Sequence, residues 1–420
     1  MRYVRYISLM YYIYNSKKEE TKPKVEPTKP KVVPKPTPKP TGELRLRDYQ
    51  EEAIERWKKW GRKGVIILPT GAGKTFCALA LLKEYLSQGK KCVVIVHTKV
   101  LLRQWCERIK QWVGVEPGVL YGERKTPDRI TVAIINTFQK YPIKDADLYI
   151  WDECHHYCTE NCLSIIEELR DKDHLGLTAT LERSDGNHKM LLRYMPIVYR
   201  MRFREAVGRF ISRFEIVEIP CELTPWEWQE YVSAEEEIRY YRLRYSSEEI
   251  NEDPVLRAKY YSRIHKRKAI CSAAKDKVVK LVEILKKVGS ERVLVFSESV
   301  ASIQYIKKVL AENGIKAMCY HSYLKKRERE AVLKEWGKSF NVLLTVRCLD
   351  EGIDIPAVRY AVILCNSLQK RQVIQRIGRT LRKRSDNTEA KIYLLYCRKT
   401  YEERVKLLIR RILAEETYLR

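Results

Sequence analysis

Short apolar runs recur along this chain, and most are followed by a longer stretch in which apolar residues return every third or fourth position. The runs have the length and β-branched composition of buried strands, and the stretches have the period of helices packed on them. Strands are predicted at Val65–Leu68, Cys92–Val96, Ile130–Ile135, Leu148–Trp151 and Leu175–Leu177. They alternate with helices over Arg47–Trp60, Thr75–Ser87, Lys99–Val113 and Cys162–Leu169, and Glu215–Leu223 reads as one more strand. The rhythm stops for Pro225–Ala274, a long polar helical region. It resumes with Lys277–Val288, Arg292–Phe296, Val300–Asn313, Lys316–Tyr320, Arg327–Trp336, Val342–Thr345, Tyr360–Leu364, Arg371–Arg376 and Lys391–Tyr396, and Tyr401–Leu413 closes as a helix. Alternation of this kind predicts an α/β chain, with two parallel-sheet domains in tandem and a helical insertion between them.

The boundaries follow from where the rhythm starts and stops. Residues 1–16 are apolar and aromatic with Arg2 and Arg5 interleaved, too short to span a bilayer and without a small-residue cleavage site. They fit a stray strand, a weak anchor or an upstream start equally, so their role is left open. Residues 17–42 form a Lys/Pro-rich linker (Pro23, Pro27, Pro30, Pro34, Pro36, Pro38 and Pro40) whose composition builds no core. The first globular domain is expected over 43–224, the helical arm over 225–275, the second domain over 276–400 and a C-terminal helix over 401–420.

Charge narrows the partners. With a formal net charge of +27 on 420 residues, the chain calls for a polyanion such as nucleic acid, against the blander reading of an evenly solvated basic surface. The 12 cysteines are scattered rather than clustered, which suits a reduced, cytoplasmic setting better than a disulfide scaffold. No apolar run approaches the length of a membrane span.

The chemistry begins where the strand Val65–Leu68 breaks into Pro69-Thr70-Gly71-Ala72-Gly73-Lys74-Thr75 and restarts as a helix. Gly71 and Gly73 let backbone N–H groups turn inward, and the helix start adds its positive dipole end, so the loop suits a phosphate chain. Lys74 would reach the β- and γ-phosphates, and Thr75 would place its hydroxyl on Mg²⁺. One departure is that Leu68 stands where the general phosphate-loop pattern has a glycine. Downstream, the strand Leu148–Trp151 ends in Asp152-Glu153-Cys154-His155. Carboxylates at the C-terminal end of a parallel strand face the ligand crevice; Asp152 would hold Mg²⁺ and Glu153 would act as general base on the attacking water. In the second half Arg376, Arg379 and Arg382 recur at three-residue spacing, a like-charge cluster that an arriving anion would relieve.

These motifs resemble those of superfamily 2 DExH-box helicases and translocases over nearly all of Leu44–Thr400. The resemblance implies RecA-like domains, ATP and Mg²⁺ as cofactors, and ATP-dependent movement on DNA. It also implies that Leu46-Arg47-Asp48-Tyr49-Gln50 recognises adenine, Gln50 reading the base edge and Arg47 lying against it. Leu177-Thr178-Ala179-Thr180 is similar to the motif that couples hydrolysis to domain movement through Thr178 and Thr180, together with His155 of the box. The run from Thr345 to Pro356 resembles the fifth motif, which implies that Gly352 and Asp354 meet the nucleotide and Thr345 the nucleic-acid backbone. Gln375-Arg376-Ile377-Gly378-Arg379-Thr380-Leu381-Arg382 resembles the arginine-finger motif, making Gln375, Arg379 and Arg382 catalytic. Thr98, Thr137 and Ser297, at predicted strand ends, resemble backbone-contact positions. Hydroxyls there position a strand without reading its sequence.

Within the superfamily, the arm and the Leu177–Gly186 run look most like the XPB-type branch of repair and transcription translocases. XPB proteins proper carry Arg-Glu-Asp where this chain has Arg183-Ser184-Asp185, and only a linker precedes Glu43, so a damage-recognition role is not expected. UvsW-like and restriction-type translocases stay open. So do RNA as substrate, and a scaffold that switches on nucleotide binding without turnover. A nuclease or a transcription or repair factor is the partner the resemblance suggests. Two features remain undecided from residues alone. The arm interleaves Tyr240, Tyr241, Tyr245, Tyr260 and Tyr261 with Arg242, Arg244, Arg263, Lys266, Arg267 and Lys268, which suits stacking on bases or packing on a neighbouring domain. Cys154, Cys158 and Cys162, spaced four apart, suit one helix face, as metal ligands or as core.

Overall fold

The computed structural model describes residues 44–183, 185–209, 212–297, 299–346, 358–364 and 389–416. The first sheet contains β1 (Lys63–Ile67), β2 (Cys92–Val96), β3 (Gly118–Tyr121), β4 (Arg124–Thr126), β5 (Ile130–Ile134), β6 (Leu148–Asp152), β7 (Asp173–Thr178) and β8 (Ile197–Arg200), in the order β4-β3-β5-β2-β6-β7-β1-β8. Its neighbours are parallel except for β3 and β4. The strands β2 and β5, rich in Val and Ile, and the Leu-Tyr-Ile-Trp-Asp strand β6 are buried at every position, as strands covered on both faces must be. The helices α1 (Asp48–Lys59), α2 (Lys74–Ser87), α3 (Lys99–Trp112) and α4 (Glu160–Glu168) supply that cover. Trp57, Trp105, Trp151 and Phe138 anchor the core at 0–1% exposure.

The second sheet contains β9 (Phe214–Cys221), β10 (Val293–Ser297), β11 (Ala317–Tyr320), β12 (Val342–Val346), β13 (Tyr360–Leu364) and β14 (Ala390–Cys397), in the order β11-β12-β10-β13-β14-β9 and parallel throughout. The arm supplies α5 (Pro225–Arg244), α6 (Ser247–Glu252) and α7 (Pro254–Ser272). It is followed by α8 (Lys275–Val288), α9 (Val300–Glu312), α10 (Lys326–Glu335) and the closing α11 (Glu402–Glu416). The arm helices start where capping chemistry dictates. Thr224 and Glu227 form a capping box ahead of Pro225, and Asp253 accepts from the Val255 and Leu256 amides ahead of Pro254.

Two expectations change. The strand expected at Glu215–Leu223, grouped with the first domain, is the edge of the second sheet and pairs with β14 from Phe214↔Ala390 to Cys221↔Cys397. Its local pattern marks a strand but carries no information about which sheet it completes. β3, β4 and β8 were not anticipated, because they are short and β4 (Arg-Lys-Thr) is exposed at every position.

One ion pair locks the second domain. Lys277 of α8 and Glu402 of α11 are both fully buried, and the ammonium donates to the two carboxylate oxygens at 3.0 and 2.7 Å. The Cys397 amide donates to the same carboxylate at 2.7 Å. Burial opposes the Lys277 charge, yet Cys397 and Glu402 beside it hold its pKa above the usual lysine range.

Candidate active site

Sheet order builds the site. β7 lies between β1 and β6, so the loop after β1, the carboxylates after β6 and Thr178 at the end of β7 emerge side by side. The register sets Ile67 opposite Thr178 and Leu177 opposite Asp152. From β1 the chain turns through Gly71 (φ 90°) and Gly73 (φ 79°), left-handed conformations that favour glycine. A Cβ on Gly73 would stand 2.5 Å from Gln50 Nε2. Gln50 explains the crowding: it is 3% exposed, and its amide donates to the Ala72 and Gly73 carbonyls at 3.2 and 3.1 Å while Oε1 accepts from the Arg47 amide at 2.9 Å. Tyr49 adds a 2.6 Å hydroxyl bond to the Ala72 carbonyl, and Arg47 in turn donates to Tyr49 at 3.2 Å. Gln50, expected to read adenine, also braces the loop through these bonds.

Lys74 begins α2 and reaches back over the loop. Its ammonium lies 3.6 Å from Glu153 Oε1 and 3.4 Å from the Leu68 carbonyl, both long for a charged donor. Glu153 adopts φ 53°, a left-handed backbone that a non-glycine residue holds only where its surroundings insist. Thr178 joins the parts: its hydroxyl lies 3.3 Å from Glu153 Oε2 and 2.9 Å from His155 Nδ1, and it donates to the Thr180 carbonyl at 2.8 Å. The Thr180 amide returns a bond to the same hydroxyl at 3.2 Å. Glu153, His155, Thr178 and Thr180, singled out separately along the chain, form one network. Arg183 ties in the next run by donating to the His155 carbonyl at 2.8 Å while gripping Asp185 with two nitrogens.

Asp152 ends β6 at 7% exposure. Burial pushes its carboxyl above the ordinary range, the Glu153 charge adds to that, and a hydrogen bond from Trp105 works against it. A cation arriving beside it would relieve both effects. Asp152, the Thr75 hydroxyl and a loop opened by two left-handed glycines offer hard oxygen donors next to a phosphate cradle, the set that suits Mg²⁺. Two contacts to this set come from α3 and were not foreseen. Trp105 Nε1 donates to Asp152 Oδ2 at 2.7 Å, and Arg108 Nη1 donates to Thr75 Oγ1 at 3.1 Å. Their three-residue spacing on a helix face was visible, but which face meets the loop was not.

The remaining candidates divide. Thr98 caps α3 by accepting from the Leu101 amide at 3.2 Å, and Thr137 accepts from the Gly122 amide at 3.2 Å, so both hydroxyls already have structural work. Ser297 ends β10 and Thr345 is the penultimate residue of β12, at 1% and 0% exposure. Gly352, Asp354, Gln375, Arg379 and Arg382 lie outside the described residues. In the arm, Arg263, Lys266 and Arg267 are engaged by Glu237, Glu230 and Glu235 at 2.5–2.7 Å, stapling α5 to α7. Acidic and basic side chains are equal in number from Pro225 to Ala274, so the arm has little net attraction for phosphate. Tyr240 (53% exposed) and Tyr261 (42%) nevertheless face solvent in the chain of ring contacts through Tyr241, Tyr245 and Tyr260.

Cys154, Cys158 and Cys162 do not share a helix. A 3₁₀ turn covers Cys154–Tyr157 and α4 starts at Glu160, and all three thiols pack in the core at 0–3% exposure. Among the described residues, the three metal-ligating side chains whose donor atoms lie within 4.8 Å of one another are Cys271, Cys397 and Glu402, and there the Lys277 ammonium already supplies the cation. Also among the described residues, no helix is long and apolar enough to cross a membrane.

Comparison with known proteins places the chain among helicases and translocases. Residues 43–183 match the family model "Type III restriction enzyme, res subunit", and residues 276–384 match "Helicase conserved C-terminal domain". The DNA 3'-5' translocase XPB2 of Sulfurisphaera tokodaii is 30% identical over 370 residues, covering 83% of this chain and 81% of that protein. The DNA 3'-5' helicase XPB of Mycobacterium tuberculosis is 28% identical, covering 89% of this chain but 64% of its own length. The helicase domain of Pyrococcus furiosus Hef shares the fold, with a TM-score of 0.59 at 20% identity over 86% of this chain and 97% of that one.

Proposed function

Because this chain belongs to the XPB-type family of superfamily 2 DNA helicases and translocases, we propose that ATP hydrolysis between its two RecA-like domains drives it along DNA in the 3'-5' direction, as the names of its relatives state for them. It is a nucleic-acid-dependent ATPase and a DNA helicase or translocase. The observation that carries the mechanism is the convergence of Lys74, Glu153 and Thr178 at three adjacent strand ends.

The Gly71–Gly73 backbone and Lys74 bind the phosphate chain. Lys74 swings the short distance from Glu153, releasing that carboxylate to orient a water and accept its proton. Thr75 and Asp152 would hold Mg²⁺, which when bound offsets charge developing on the phosphates. Thr178 bridges Glu153, His155 and the Thr180 carbonyl, so a change at the base moves the chain that follows β7. Gly352 and Asp354 are assigned to the nucleotide, and Gln375, Arg379 and Arg382 to the reacting phosphate when the domains close. Thr98, Thr137, Ser297 and Thr345 are assigned to the nucleic-acid backbone, with much of the grip supplied by the net charge of +27. The ten cysteines among the described residues are free thiols, which fits a reduced, cytoplasmic setting. The likeness to XPB-named relatives supports a role in repair or transcription, with a nuclease or transcription factor as partner.

The decisive assay is steady-state ATP turnover with single-stranded, duplex and forked DNA and with matched RNA. DNA is expected to stimulate most, and stimulation should fall steeply with salt. Stronger stimulation by RNA would overturn the substrate, and absence of multiple turnover on any of them would overturn the motor.

A further inference from the structure

Helix α3 reaches the nucleotide loop with three side chains of one face. Trp105, 1% exposed, donates its indole N–H to Asp152 Oδ2 at 2.7 Å. One turn on, Arg108 donates to Thr75 Oγ1 at 3.1 Å, and after one further turn the Trp112 ring meets Phe76 edge-on at 5.3 Å between centroids. Both side chains assigned to Mg²⁺ are therefore held from the same helix, although Thr75 starts α2 and Asp152 ends β6.

The chemistry of these donors is selective. A buried indole N–H needs an acceptor, but it has no acceptor of its own, so it can only pin a carboxylate oxygen. It holds Oδ2 and leaves Oδ1 as the oxygen without an indole bond. The guanidinium likewise takes one lone pair of Thr75, leaving the second lone pair and the hydroxyl hydrogen. Hydrogen-bond partners of this kind orient metal ligands and set metal affinity.

We propose that α3 is the support that sets the Mg²⁺ affinity of the site, with Trp105 and Arg108 as positioning residues for Asp152 and Thr75. The proposal rests on the reading of the Gly71–Thr75 loop as a nucleotide site.

The test is direct binding rather than turnover. The full chain is titrated with a fluorescently labelled ADP, in EDTA and across a range of MgCl₂, and the half-saturating Mg²⁺ concentration is read. Trp105→Phe, which keeps a packed ring and removes the N–H, should raise that concentration about 10-fold, and Arg108→Gln should raise it by a smaller factor. Binding in EDTA should stay within about two-fold of wild type, since on this model only metal ligation has been loosened. In an Asp152→Ala background, Trp105→Phe should add no further shift. A wild-type Mg²⁺ titration in Trp105→Phe, an equal loss with and without Mg²⁺, or a shift that persists on Asp152→Ala would each overturn the proposal. If Trp105→Phe shows no cooperative thermal transition, Arg108→Gln on its half-buried side chain decides by the same criteria, with Thr75→Ala as the background in place of Asp152→Ala. Wild-type binding that ignores Mg²⁺ would remove the nucleotide-site reading and the proposal together, whereas Mg²⁺-dependent wild type with unshifted variants removes the proposal alone.

Discussion

Two lysine–glutamate pairs show opposite ways of placing the same groups. Lys277 and Glu402 are fully buried and joined by two bonds of 2.7 and 3.0 Å, with a backbone amide completing the carboxylate. Lys74 and Glu153 are 3.6 Å apart, remain 11% and 17% exposed, and the glutamate backbone is held in a left-handed conformation. The first pair is complete and would gain nothing from a ligand. The second is loose beside a glycine-opened loop, so its cation has room for a stronger anion and its carboxylate has room for water. Closeness of an ion pair therefore marks architecture in this chain, and looseness in a strained setting marks chemistry.

The comparison breaks most decisively at the loose pair. Lys74→Ala and Glu153→Gln should each lower DNA-stimulated ATP turnover about 1000-fold while the thermal transition stays within a few degrees. Turnover near wild type in both would assign the chemistry elsewhere. The tight pair should behave in reverse. Lys277→Met leaves a buried carboxylate without its cation and should cost about 3–5 kcal/mol in urea unfolding, with turnover per folded molecule retained. Adding Glu402→Gln, which removes the charge and keeps an acceptor for the Cys397 amide, should restore most of that stability, and a double variant as weak as the single would show that pairing is not what Lys277 contributes.

A smaller effect separates enclosure from pairing, since His174 is enclosed but not ion-paired. Its ring is 2% exposed, accepts from the Trp151 indole at 3.1 Å, donates to the Leu169 carbonyl at 2.8 Å, and stacks near Tyr149. Burial holds its pKa down to about 4, against the ordinary 6.5. The unfolded chain thus takes up a proton near pH 6.5 that the folded chain refuses until about pH 4. Its stabilising contribution is full above pH 6.5 and lost as pH falls toward 4, a decline of about 3 kcal/mol. His174→Gln, neutral throughout, should flatten that part of the pH–stability curve, and an unchanged acid slope would assign the decline to other groups.

Much of the site was legible in the residues because its chemistry depends on local spacing. Gly71, Gly73, Lys74 and Thr75 can announce a phosphate loop by themselves, since the turn and the helix start are made by adjacent residues. Asp152-Glu153 announce a strand end for the same reason, and the expected strands recur in the structure within a residue or two at each end. What lay beyond reach was long-range. The shift of β9 into the second sheet, the Gln50 brace behind the loop, the stapling of Arg263, Lys266 and Arg267 within the arm, and the α3 contacts to Asp152 and Thr75 all join residues far apart in sequence. Sequence period sets which face of a strand or helix is apolar, but not which neighbour that face meets. The residues alone therefore determined that this chain has a phosphate loop, a pair of carboxylates and a sheet rhythm repeated twice. Only the tertiary structure, by seating β7 between β1 and β6, decided that Lys74, Glu153 and Thr178 stand within reach of one another.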